Sequence, residues 1–371
     1  MRSTPLGFVA LLVAGLATAC AAPAAPAGEG SRTAPPAAPA QSPAPAPPGQ
    51  PAAPTAVLPT ARVRITDIQI TSAAGSYIAA EKGYFAEEGI EVEWVPSAAD
   101  QVPVLVADEA DVAGAPLTAF LFNAFARGIP LKIVADHGAN VQGASAGGIA
   151  IRKDLMDSGA YQGPASLKGW RIATASQGSN SDITLDDYLH SGGLTLADID
   201  RINLSYPDML PALANKAIDG AYYQEPFTTI AVERGLAARG PAAWQIRLNQ
   251  QVGVVLLSER LLRDRALSLR YVRAYTRGVR DYVKGLIERD PAKFDEVVPI
   301  LIEHTTVKDR AMFEKAVPSG LRGDPIPNVE SIAEAQDWFL ANGFQNQRVN
   351  VQDMLDLSFV QQAIEQLGPY R

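Results

Sequence analysis

The chain has a few residue patterns that carry chemistry elsewhere. Gly143-Ala144-Ser145-Ala146-Gly147 spells G-x-S-x-G, the turn that lifts a hydrolase serine out of a sheet. That turn needs a strand before it and a helix after it, whereas the residues that follow here read as a strand. Asp108-Glu109-Ala110-Asp111 has the lettering of a nucleotide-hydrolysing motif, but no G-x-x-x-x-G-K-[ST] loop exists to cradle a phosphate. His137, His190 and His304 are far apart and show none of the short spacings that gather a metal ion. Cys20 is the only cysteine, which excludes a disulfide framework and any multi-cysteine metal or iron–sulfur site. What remains is recognition without bond-making, by hydrogen-bonding groups on loops.

Two loops stand out. Gly178-Ser179-Asn180 precedes a helical run, where backbone N–H groups and the positive dipole end suit an anionic or carbonyl oxygen. The same residues also make an ordinary N-cap. Tyr222-Tyr223-Gln224-Glu225 ends a strand, so one tyrosine is expected to face a ligand and its neighbour the core. Tyr223 joins the candidate set. Glu225 stands either to accept from a ligand amine or to favour the start of the helix after Pro226. Ser72, Ser76, Tyr77, Pro116, Thr118 and Gln177 complete the candidate ligand contacts; Ser76 and Thr118 serve equally well as helix caps. Trp94, in mid-strand, reads as buried, and His137 as a hydrogen-bonded structural group.

These loops need elements to hold them. From Val63 onward, strands alternate with helices, which predicts α/β domains with mostly parallel sheets. A first strand spans Val63 to Ile70, with Ser76 capping the next helix, and Pro116 opens a helix to Arg127. One β-α-β set covers about 62–150 and another about 154–250, followed by a nearly all-helical tail. The economical solution packs that tail on the first domain. Domain I is then 62–150 plus 256–371 and domain II is 151–255, with hinge crossings near Gly147–Arg152 and Gly253–Ser258. Ligands of open α/β sheets bind outside the carboxyl ends of the strands, and two such domains make a cleft that can close on a solute.

The first sixty residues differ in kind. After Met1-Arg2, a 14-residue run from Leu6 to Ala19 lacks any charge, which suits a signal peptide and falls short of the ~20 residues of a spanning helix. Leu16-Ala17-Thr18-Ala19-Cys20 resembles a bacterial lipoprotein signal, which implies removal of residues 1–19 and lipidation at Cys20. Residues 21–60 include 14 alanines and 12 prolines, so the linker, 20–61, is expected to stay unpacked and extended. The net charge of −8 argues against nucleic acid as a partner.

A family resemblance emerges from blocks in order along the chain. They are Tyr77-Ile78-Ala79-Ala80-Glu81-Lys82-Gly83-Tyr84-Phe85, Ala110-Asp111-Val112-Ala113-Gly114-Ala115-Pro116, Ser166-Leu167-Lys168-Gly169-Trp170-Arg171-Ile172-Ala173 and Ile218-Asp219-Gly220-Ala221-Tyr222-Tyr223-Gln224-Glu225-Pro226-Phe227. The sequence resembles ABC-importer solute-binding proteins of the nitrate/sulfonate/taurine and thiamine-pyrimidine (hydroxymethylpyrimidine) group. The resemblance implies a type II periplasmic-binding-protein fold: two α/β domains joined by a two-strand hinge. It further implies capture of a small organic solute and its delivery to ABC permease subunits. The protein is expected to be a monomeric, extracytoplasmic, lipid-anchored carrier, without cofactor, metal or enzymatic activity. The candidate loops hold Asp100, Asp136 and Glu225 but no Lys or Arg, which leans toward a pyrimidine or other heterocyclic vitamin precursor held by tyrosine. The alternatives are sulfonate, nitrate or taurine-type anions, a pyrimidine-synthase-like enzyme, and a sensor input protein. A fungal pyrimidine synthase of this fold relies on a cysteine-rich motif that is absent here.

Overall fold

Val63 and Ile65 alternate with Arg62 and Arg64, and the apolar pair is fully buried, which makes β1 (Ala61–Thr66) a strand with one face in the core. The computed structural model describes residues 59–96 and 101–371. The expected signal peptide, Cys20, the linker up to residue 58 and the Ser97–Asp100 loop lie outside the described residues.

In chain order, β1 is followed by α1 (Ala74–Glu81), β2 (Ile90–Val95), β3 (Val112–Pro116), α2 (Ala119–Ala126), β4 (Lys132–Ala139) and β5 (Gly147–Arg152). Next come β6 (Arg171–Thr174), α3 (Asn180–His190), β7 (Asp200–Asn203), β8 (Gly220–Gln224), α4 (Phe227–Glu233), β9 (Ala237–Ala242) and β10 (Gln251–Leu257). The principal helices of the tail are α5 (Arg265–Tyr282), α6 (Pro291–His304) and α7 (Val329–Ala341).

Two five-stranded sheets form, ordered β2-β1-β3-β10-β4 and β7-β6-β8-β5-β9. Each is mixed, with four strands running one way and one against them. β10 runs antiparallel between β3 and β4, and β5 runs antiparallel between β8 and β9. The segments expected as hinge crossings are thus strands within the sheets. The chain passes between sheets at residues 140–146 and again before β10, and these passages are tied together. Asn140 N donates to Gln250 O (2.9 Å) and Asn249 N to Asn140 O (2.7 Å), while the Asn140 amide donates to Gln250 Oε1 (2.8 Å).

Both faces of the first sheet are covered, one by α5, α6 and the C-terminal helix, the other by α2 and α7. Helix α5 shows why the tail comes back. Leu267, Tyr271, Val272, Tyr275, Val279 and Tyr282 fall on one helical face and are buried, each worth roughly 1.5–3 kcal/mol when withdrawn from water. Its outer face carries Arg273 and Arg277, paired with Glu88 and Glu87.

Local differences from expectation have local causes. β1 stops at Thr66, since the side chain of the next residue, Asp67, turns inward to a buried partner. Gly75 and Ser76 lie inside α1, not at its cap. Pro116 closes β3, and Thr118 caps α2 by accepting from Leu121 N (3.4 Å). β9 went unread because Ala-Ala-Arg-Gly-Pro-Ala has no alternation to see.

Candidate functional site

The carboxyl ends of β1, β3, β4 and β8 face a cavity between the two sheets, of about 60 Å³. At ~10–15 Å³ per water that is room for roughly four to six waters, so this arrangement suits a compact solute. Its wall takes Thr71, Ser72, Pro116, His137 and Ser319 from the first lobe, and Asn180, Gln224 and Glu225 from the second. Among the described residues, no Lys or Arg lines it.

The hydrogen-bonding groups fall into spent and unspent. Thr71 and Ser319 share a hydroxyl–hydroxyl bond of 2.5 Å. The side chains of Ser72, Asn180 and Gln224 have no protein partner among the described residues. Glu225 is spent: Oε2 accepts from Thr229 N (3.1 Å) and Thr229 Oγ1 (2.7 Å), while Oε1 accepts from Arg239. Its carboxylate therefore serves α4.

His137 and Asp67 form a buried pair, with Nε2 to Oδ2 at 2.8 Å. The second Asp67 oxygen accepts from Ile68 N (2.9 Å). Burial presses the His137 imidazole toward its neutral form, but the charge and hydrogen bond of Asp67, with Asp136 behind, outweigh it and raise its pKa. Burial likewise pushes the Asp67 carboxyl up, and His137 pulls it part of the way back. Gly114 leaves the space that this pair fills. A Cβ there would fall 2.7 Å from His137 Cδ2 and closer still to Nε2 and Asp67 Oδ2.

Among the sequence candidates, Ser72, Pro116, Asn180 and Glu225 line the cavity. Thr118, Gly178 and Ser179 instead join the lobes beside it, through a bridge between Thr118 and Ser179 in which Ala119 N donates to Gly178 O (3.0 Å). The Gly178 N–H expected to await an anion donates to Asp182 Oδ2 (2.8 Å), and the Ser179 hydroxyl is engaged with Ser176 O and Ser181 Oγ. Gln177 is exposed and outside the cavity wall. Ser76 is buried within α1. Tyr77 packs against His304 and Trp94, with ring centroids 4.9 Å apart in each case. Trp94, expected to be buried, is 37% exposed, because β2 is an edge strand.

Neither tyrosine of the β8 loop reaches the cavity. Tyr222 and Tyr223 point to opposite faces of the second sheet, and both faces are covered, so both are core. Tyr223 donates to Tyr206 O (2.6 Å). Thr71, Gln224 and His137 lie at strand ends or in the loops after them but were not among the candidate contacts, and neither was Ser319. Ser319 comes from the C-terminal tail and had no local signal. Glu81, Glu303 and His304 bring potential metal-ligating atoms within 4.8 Å of one another, where α1 and α6 end and outside the cavity wall.

A family model described as NMT1-like matches residues 56–276. The alkanesulfonate-binding protein SsuA from Xanthomonas axonopodis pv. citri, bound to MOPS, superposes with a TM-score of 0.62 at 21% identity, covering 81% of this chain and 99% of that one. The periplasmic nitrate-binding protein NrtA from Synechocystis PCC 6803 gives 0.67 at 15% identity, covering 83% and 89%. The desulfurization enzyme DSZB gives 0.60 at 16% identity, covering 82% and 100%. No curated protein sequence matches the chain. The fold is thus that of type II periplasmic binding proteins, on which both carriers and an enzyme are built.

Proposed function

Given that the chain belongs to the NMT1-like family, we propose that it is the solute-binding component of an ABC importer and takes a small oxyanion-bearing solute of the sulfonate or nitrate type. The observation that carries this reading is the cavity itself. It lies between two sheets, draws hydroxyl and amide donors from both lobes, and leaves Ser72, Asn180 and Gln224 without protein partners. Ser72 and Gln224 are half-buried and Asn180 is buried, so their donors are open to a solute, and an oxygen that accepts from several at once is held more firmly than by one. The solute touches both lobes only when they are closed, so its binding favours the closed form that a permease would read.

The heterocycle reading rested on the absence of Lys and Arg from the loops and on a tyrosine in the cleft. Among the described residues the cavity wall holds neither Lys nor Arg, but both tyrosines are core, and the hydroxyl and amide groups can donate to an anion. The single cysteine, Cys20, precedes the family match, so the cleft offers no thiol nucleophile, which speaks for a carrier over an enzyme. Lipidation at Cys20, an extracytoplasmic location and a monomeric state complete the proposal. So do two domains: β1–β4 with β10 and the tail, and β5–β9.

The test is calorimetry on the full chain with nitrate, methanesulfonate, taurine and hydroxymethylpyrimidine, with product analysis after incubation. One-to-one binding of an anion without turnover supports the reading. Turnover, or binding of the pyrimidine alone, contradicts it.

A further inference from the structure

His137 closes the carboxyl end of β4 and lines the cavity, yet only 4% of its side chain is exposed. One ring nitrogen, Nε2, is held by Asp67 Oδ2 at 2.8 Å, and that carboxylate is itself 1% exposed. The other, Nδ1, has no protein partner among the described residues. It lies beside Gly253, a further residue of the cavity wall, where a Cβ would stand 3.4 Å from it. A buried carboxylate on one nitrogen fixes the orientation of an imidazole and decides what the other nitrogen presents. With the ring charged, Nδ1 carries a proton and donates. With the ring neutral and the remaining proton on Nε2 facing Asp67, Nδ1 presents a lone pair, which repels an oxyanion. Every other group facing the cavity is neutral or already paired.

We infer that His137 is the anion-selecting residue of the cleft: its Nδ1–H donates to the oxyanion of the solute, and Asp67 is the positioning residue that keeps the ring oriented. This rests on the oxyanion reading above. Anion affinity is then full while the ring is charged and declines as pH rises through the ring's pKa.

The groups that bear on that titration come from several elements. Asp67 follows β1, and Asp136 precedes the ring on β4, held by Gln251 (2.6 Å) and Arg322 (3.4 Å). Glu225, paired with Arg239, faces the cavity from the second lobe. Tyr275 of α5 donates to Asp136 O (2.8 Å), and Tyr77 and Tyr271 feel the Asp67 charge.

The experiment compares methanesulfonate with its neutral isostere dimethyl sulfone by calorimetry on the full chain from pH 6 to 10. Wild type is expected to prefer the sulfonate at pH 6 by at least tenfold and to lose that preference as pH rises. His137→Gln is expected to lose it at every pH. Because that change leaves Asp67 buried without a cation, the Asp67→Asn/His137→Gln pair, checked for folding by circular dichroism, provides the second variant and is expected to show a flat profile. Retention of the wild-type preference by the folded double variant overturns the inference and leaves the oxyanion reading standing. Failure of wild type to bind methanesulfonate or nitrate, with a neutral heterocycle bound instead, overturns both.

Discussion

Gly114→Ala tests whether the His137–Asp67 pair sits where the geometry puts it. Gly114 lies in β3 with an ordinary strand backbone, so the added methyl costs little in conformation. The cost is crowding, since the new Cβ would lie 2.7 Å from His137 Cδ2 and nearer to both atoms of the hydrogen bond. Ordinary carbon contacts are ~3.5–4.0 Å. The pair must therefore move by about 1 Å or more, which a 2.8 Å bond does not survive. Uncoupling a buried ion pair costs about 3–5 kcal/mol, and overpacking alone about 1–3 kcal/mol, so we expect a loss of ~3 kcal/mol. Urea unfolding followed by far-ultraviolet circular dichroism measures it. Gly143→Ala is the control: its φ is +80° and nothing lies within 4 Å, so only the left-handed backbone cost of roughly 1–2 kcal/mol applies. A double-mutant cycle with His137→Ala sharpens the test, because removing the ring vacates the space for the methyl. The double variant should lose about as much as His137→Ala alone. Additive losses, or a Gly114→Ala protein within 1 kcal/mol of wild type, would refute the reasoning.

Three further outcomes follow from the same structure. Gly178→Ala combines a φ of +69° with a Cβ 2.9 Å from Phe344 Cδ1, and it disturbs the carbonyl that accepts from Ala119 N; solute affinity by calorimetry should fall several-fold, with roughly 1–2 kcal/mol lost in unfolding. Burial pushes the Asp111 carboxyl up, but Arg260 (2.6 Å) and Arg64 (2.9 Å) outweigh it and hold its pKa below the ordinary value. Its contribution is therefore complete above the unfolded aspartate pKa and lost as pH falls through the lower folded one. Asp111→Asn should cost about 3–5 kcal/mol at pH 7 and less toward acid, measured by denaturation at pH 7 and below pH 4. Trp338→Phe removes the indole N–H bond to Asp186 (2.8 Å) that links α7 to α3, and unfolding should register a loss of about 1.5–3 kcal/mol.

Much of the architecture was legible because it is written in local periodicity. The strand Ile90–Val95 and the helices Asn180–His190 and Pro291–His304 are each bracketed by glycine, serine or proline signals. The sheet order was not legible. β10 inserts antiparallel between β3 and β4, a pairing of residues more than a hundred positions apart that no window of sequence contains. The site divides in the same way. Ser72, Pro116 and Asn180 follow from the rule that strand ends face the ligand, while Ser319 arrives from the tail. Tyr223 misled because alternation shows that neighbours point opposite ways without showing that both faces are covered. Glu225 carried two readings, a ligand contact or support for the helix that follows, and its carboxylate is engaged by Thr229 and Arg239.

The central claim is a small solute held between two lobes by groups from both. The most direct measurement is a crystal structure of the full chain grown with methanesulfonate at a concentration that saturates binding in calorimetry. One solute should occupy the space bounded by Thr71, Ser72, His137, Asn180 and Ser319, with its oxygens within hydrogen-bond distance of residues from both sheets. Occupancy elsewhere on the surface, or contacts confined to one lobe, would contradict the account.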